Sequence, residues 1–148
     1  MAQIAKIEAK AEIKCSPAKV FDFFKYKLKQ FPNLYPQAFK KVELLEGEEG
    51  QAGNIIHFEY VIGNETMAAK VKTEAINEGE KSITFRTFEG EIMQIYTTFV
   101  AKVTIADGYV TWSIEYEKAN DSAPTPDNYA TLTAKITKGL DAYLLSQI

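Results

Sequence analysis

From Ala5 to Ile13 small or apolar residues occupy every second position, with Lys6, Glu8, Lys10 and Glu12 between them. A period of two sends successive side chains to opposite faces of a strand, so residues 4–15 read as a half-buried strand with one wet face. Ser16-Pro17 then supplies an N-cap and a first-turn proline, which predicts a helix with Val20, Phe21, Phe23, Phe24 and Leu28 at its apolar positions. Pro32 and Pro36 punctuate the chain after this helix, and a second short helical piece is expected around Leu34 to Phe39.

The next stretch alternates again, in blocks separated by turn residues. Strands are predicted at 41–46, 54–62, 67–76, 82–88, 92–105 and 109–118. Asp107-Gly108 is a strong hairpin signal, because the turn it fits needs positive φ. Tight turns imply antiparallel neighbours, since parallel pairing needs long crossovers. After Pro124-Thr125-Pro126 the period changes to 3.6. Tyr129, Leu132, Ile136, Leu140, Tyr143 and Leu144 form one stripe, while Lys135, Lys138 and Asp141 lie away from it. That helix runs roughly twenty residues, about 30 Å.

The fold expected is therefore α+β. A curved seven-stranded antiparallel sheet, two short helices and a long C-terminal helix make one domain over residues 1–148. Alternating strands with few helices leave one sheet face to be covered. Where side chains of helix and sheet do not meet, a hollow remains.

Composition narrows the uses of such a fold. The chain is 46% hydrophobic and 25% charged, an ordinary globular balance. Net charge is −3, and no basic tract interleaved with aromatics appears, which excludes nucleic acid as the expected partner. No apolar run is long enough for a membrane span. One cysteine, Cys15, excludes an internal disulfide framework. Met1 to Ile13 alternates rather than forming a charged region and a continuous apolar run, so no secretory signal is expected and the location expected is cytoplasmic.

Several pieces, taken together and in order, carry a resemblance. They are Phe88-Glu89-Gly90-Glu91, the segment Val110-Thr111-Trp112-Ser113-Ile114-Glu115-Tyr116-Glu117-Lys118, and Pro124-Thr125-Pro126 before the last helix. With these the whole chain resembles the plant major latex proteins, within the superfamily of the birch pollen allergen and the class-ten pathogenesis-related proteins. The resemblance implies a helix-grip fold of the START-like kind, with an internal cavity between sheet and C-terminal helix. It also implies binding of small hydrophobic plant metabolites such as steroids, flavonoids, hormones or fatty acids, and a link to defence and stress. Some relatives are enzymes of alkaloid biosynthesis that place a lysine or carboxylate in the cavity. The position where many class-ten relatives carry a cavity lysine is Ile56 here, and Glu89 is the one carboxylate that leans inward by parity.

Strand parity supplies the expected lining. It comprises Ile56, Phe58 and Tyr60; Met67, Ala69, Val71 and Thr73; Ile83, Phe85 and Thr87; Phe99, Ala101 and Val103; Trp112, Ile114 and Tyr116. The helix adds Leu132, Ile136, Leu140 and Tyr143. Periodicity alone does not separate a lining residue from a packed one; the hollow is what the resemblance implies. Polar members of the set would orient a mostly apolar ligand.

Other motifs carry less. The loop Glu46-Gly47-Glu48-Glu49-Gly50-Gln51-Ala52-Gly53 lacks the Gly-Lys-Ser/Thr ending of a phosphate loop, and its glutamates would repel an anion. His57, the single histidine, falls on the wet side of its strand, and a lone histidine excludes a two-histidine metal site. Cys15 has no histidine or basic cluster near it in sequence to form a thiolate. The Asn-x-Ser/Thr triplets at Asn64 and Asn120 read as turns. No catalytic constellation, metal or cofactor is expected. A monomer that holds a small hydrophobic ligand is the leading expectation, and acid–base chemistry in the same cavity is the alternative.

Overall fold

Seven strands whose alternation leaves one apolar face, and one long helix with an apolar stripe, bury those surfaces against each other. The computed structural model describes residues 4–147; residues 1–3, where the segment read against a secretory signal begins, and residue 148 lie outside the described residues. The element order is β1 (Ile4–Glu12), α1 (Pro17–Tyr26), α2 (Phe31–Leu34), β2 (Phe39–Glu46), β3 (Ile55–Ile62), β4 (Glu65–Asn77), β5 (Ser82–Gly90), β6 (Tyr96–Ala106), β7 (Tyr109–Lys118) and α3 (Asp127–Ser146). All neighbouring strands pair antiparallel in the order β1-β7-β6-β5-β4-β3-β2. β1 and β2 are thus opposite edges, and α1 with α2 carries the chain across.

Local chemistry sets the boundaries. The Ser16 hydroxyl caps α1 by accepting from the Lys19 N–H at 3.4 Å, and Pro17 fills its first turn. The second helix lies earlier than the sequence predicts: α2 spans Phe31–Leu34, and Phe39 opens β2 opposite Tyr60. Pro32 sits in the first turn of α2, where a missing N–H is harmless, so it starts a helix instead of breaking one. Residues 91–94, three of them expected as strand, form a 3₁₀ turn. Gly90 there has φ 132°, and a Cβ on it would lie 2.3 Å from the Ala68 carbonyl oxygen, so only glycine lets the chain turn so close to β4.

Asp141 departs from its expected solvent position. It is 7% exposed, and its carboxylate accepts from the backbone N–H groups of Lys14 at 2.9 Å and Cys15 at 2.9 Å. The carboxylate thereby satisfies two donors where the chain leaves β1 for α1.

The sheet is bent by register shifts in the β2–β3, β4–β5 and β6–β7 pairs. One shift changes a side-chain assignment. Val71 faces Thr87 but Lys70 faces Glu89, so Phe88 is the extra residue and parity reverses beyond it. Glu89 therefore points outward, where its carboxylate pairs with Lys70 Nζ at 3.0 Å.

Candidate functional site

Between α3 and the concave face of the sheet lies a cavity of about 140 Å³. From α3 it is lined by Tyr129, Leu132, Thr133 and Ile136, a spacing of three and four that keeps them on one helix face. From the sheet come Phe39, Phe58, Val71, Phe85 and Thr87, then Phe99, Ala101, Trp112 and Ile114. Phe24, Leu28 and Phe31, from α1, α2 and the turn between them, complete the lining. Small and medium side chains at Val71, Thr87 and Ala101 give the floor its depth, and rings form much of the wall.

Those rings brace one another. Trp112 meets Phe24 edge-on at 5.5 Å between centroids, Phe24 lies 5.9 Å from Phe31, and Phe31 lies 5.3 Å from Phe39. Phe39 in turn lies 6.1 Å from Phe58. Such offset contacts make a continuous arc whose members cannot move singly without losing a neighbour. Opposite the arc, Phe99 meets Tyr129 at 5.0 Å and Tyr60 meets Tyr129 at 5.9 Å.

The structure brings ten of the proposed lining residues together around the hollow: Phe58, Val71, Phe85, Thr87, Phe99, Ala101, Trp112, Ile114, Leu132 and Ile136. Ile56 borders a separate small recess beside Leu28 and Asn54. Tyr60 and Met67 stand behind Tyr129, with the two phenol oxygens 2.7 Å apart and the Met67 sulfur 3.9 Å from the Tyr60 oxygen. Ala69, Thr73, Ile83, Val103, Tyr116 and Leu140 are buried in the packing without bordering the hollow. Tyr143 packs on Phe23 at 6.3 Å, beside a surface groove near the end of α3.

Sequence parity missed Phe24, Leu28, Phe31, Phe39, Tyr129 and Thr133. Phe24, Leu28 and Tyr129 carry an apolar-position signal but no indication of which apolar face meets the void. Thr133 lies four residues after Tyr129, so helical spacing places it on the same face. Phe31 and Phe39 depend on where α2 ends.

The polar groups around the cavity are few and almost all partnered. Trp112 Nε1 donates to the Thr137 hydroxyl at 2.8 Å, which donates to the Thr133 carbonyl at 2.8 Å. The Thr133 hydroxyl donates to the Ala130 carbonyl at 2.7 Å. Thr87, on a residue 9% exposed, has a hydroxyl with no hydrogen-bond partner among the described residues. No Lys, Arg, His, Asp or Glu is among the lining residues. Burial pushes the Tyr129 phenol far above its ordinary range, with the neighbouring Tyr60 adding to the effect, and burial raises Tyr60 as well. Both stay neutral at physiological pH.

The other sequence motifs sit elsewhere. His57 Nε2 lies 3.3 Å from the Glu59 carboxylate on the outer face of β3. Cys15 is buried, its thiol donating to the Asp141 carbonyl at 3.6 Å, and burial raises its pKa. The glycine-bearing loop packs on α1: Gly50 has φ 78°, and a Cβ there would overlap the Tyr26 ring at 2.1 Å.

Comparison with known proteins places this geometry. A family model described as "Pathogenesis-related protein Bet v 1 family" matches residues 2–147. MLP-like protein 31 of Arabidopsis thaliana is 30% identical, over 96% of this chain and 86% of that protein. The crystal structure of ginseng major latex-like protein 151 from Panax ginseng superposes with a TM-score of 0.91 at 30% identity, covering 95% of this chain and 97% of that one. Norcoclaurine synthase from Thalictrum flavum shares the fold, with a TM-score of 0.78 at 17% identity over 97% of this chain and 88% of that one.

Proposed function

Because the chain belongs to the Bet v 1 family, a family of hydrophobic-ligand-binding proteins, and stands among its major latex proteins, we propose that it holds a small hydrophobic plant metabolite in the cavity under α3. The whole chain acts as one ligand-binding unit, as a monomer in the cytoplasm, in a defence or stress setting. The observation that carries this reading is the lining: hydrocarbon and aromatic walls, no charged side chain, and rings that shape the space without reacting. Holding and releasing a ligand needs shape and desolvation, both of which these residues supply. No helix among the described residues is long and apolar enough to cross a membrane.

Titration with neutral hydrophobic metabolites from single rings to steroids, followed by the emission of Trp112, which lines the cavity, tests the reading. Saturable one-to-one uptake is expected, and Ala101→Leu, which places added bulk on the cavity floor, should weaken it while the protein stays folded. Absence of saturable uptake of any apolar probe would sink the proposal. Native mass spectrometry of protein purified from its source would identify the bound molecule.

A further inference from the structure

We propose that the cavity is shaped for a neutral molecule about one ring in size that carries a single hydrogen-bond acceptor, which Thr87 and Tyr129 recognise. The proposal rests on the holding role above and narrows it. Size comes first. The hollow measures about 140 Å³, whereas sites for drug-sized ligands run from roughly 300 to 1,000 Å³. An apolar cavity of roughly 150 Å³ takes up benzene. A fused polycycle would have to displace part of the wall, and the arc from Trp112 through Phe24 and Phe31 to Phe39 resists that because each ring packs on the next.

Charge comes second. With no cation among the lining residues, a carboxylate entering the hollow would lose its water and meet no opposite charge, a heavy penalty in an apolar interior. A neutral ligand has no such cost.

Hydrogen bonding comes third. Tyr60 and Tyr129 together carry two phenol protons, and the bond between their oxygens uses one. Among the described residues the other has within reach only the Met67 sulfur, 3.9 Å from the Tyr60 oxygen and 3.7 Å from the Tyr129 oxygen, which is a weak acceptor. Thr87 adds a hydroxyl on a residue that is 9% exposed and has no hydrogen-bond partner among the described residues. With Tyr60 donating to Tyr129, the Tyr129 phenol and the Thr87 hydroxyl, both on lining residues, are two donors without a good acceptor among the described residues. A ligand carbonyl or ether oxygen supplies one; a hydrocarbon of the same shape does not.

Calorimetric titration of the full chain at pH 7 with acetophenone, isopropylbenzene, benzoate and progesterone distinguishes these features. Acetophenone should bind about tenfold more tightly than isopropylbenzene, the worth of one good hydrogen bond. Thr87→Val, nearly the same shape, and Tyr129→Phe should each shrink that preference, read as the ratio of the two affinities within each variant. Benzoate should bind at least tenfold more weakly than acetophenone. Equal affinity for acetophenone and isopropylbenzene, or benzoate binding as tightly as acetophenone, overturns the proposal. Uptake of progesterone without uptake of acetophenone overturns it too, while leaving the holding role standing. A chain that takes up none of these ligands overturns both.

Discussion

Beyond Ile136, α3 is packed and hydrogen-bonded into the fold: Thr137 and Leu140 are fully buried, and Asp141 accepts from the chain as it leaves β1. Before Ile136 the same helix turns Tyr129, Leu132 and Thr133 toward a void. One helix thus has an anchored half and a spanning half. Backbone donors and a buried indole are satisfied at the anchored end, where the helix meets β1 and β7. At the spanning end Tyr129 meets Phe99 and Tyr60, and the bent sheet leaves a hollow beside those contacts. Anchoring at the other end lets the fold tolerate that empty space. Apart from Trp112, which lines the hollow and donates to Thr137, binding and stability fall to different residues of the helix and its neighbours, and that separation can be tested.

The largest contrast should come from leucines at the two ends. Leu140→Ala opens a void in full packing and should cost about 2–5 kcal/mol. Leu132→Ala removes a partly exposed side chain that already borders empty space, and should cost about 1 kcal/mol or less. Urea unfolding of both variants measures the difference; equal costs would erase the distinction between the halves. Leu132→Ala should also admit larger ligands.

Asp141→Ala comes next. It strands the Lys14 and Cys15 N–H groups and should cost about 2–3 kcal/mol, seen as a lower unfolding midpoint with unchanged ligand affinity per folded molecule. Thr137→Val should cost about 1–2 kcal/mol, because the Trp112 N–H loses its acceptor inside the protein. Trp112 is the single tryptophan, so a shift of its emission in the folded state reports the loss directly.

How legible these halves are in the sequence depends on which periodicity governs each residue. Strand alternation places Phe58, Phe85, Thr87, Trp112 and Ile114 on the concave face, because a period of two survives as long as no residue is added. It fails at Phe88, where one bulged residue reverses parity and turns Glu89 outward. Bulges follow from three-dimensional strain in the bent sheet, and residue type at Phe88 gives no hint of one. The anchored half is harder still. Asp141 lies off the apolar stripe and has the chemistry of a solvent residue, yet it is buried because the backbone of a segment more than a hundred positions earlier needs acceptors. Nothing local to α3 encodes that demand. The void itself has no sequence period, since it is set by how far the curved sheet stands from the helix.

The smallest effect expected is a pair of alkaline transitions, one for each half. At the anchored end burial raises the Cys15 thiol above its ordinary 9.0; at the spanning end burial raises Tyr129 above its ordinary 10.0. Each group loses its proton earlier in the unfolded chain than in the folded one, so above the unfolded value the folded state binds more protons. Stability then falls as pH rises. The contribution of Cys15 is complete below pH 9 and declines above it, and that of Tyr129 is complete below pH 10 and declines above it. Thermal unfolding followed from pH 7 to 11 should show wild type and Cys15→Ala running parallel until near pH 9, then the variant falling less steeply. Tyr129→Phe should keep the first decline and blunt the second. A bound neutral ligand stabilises the folded state at the spanning end and should deepen the decline in the Tyr129 window while leaving the Cys15 window unchanged, because only a protonated phenol donates to it. If ligand shifts both windows equally, the two ends of α3 are coupled and the separation of anchoring from binding is wrong.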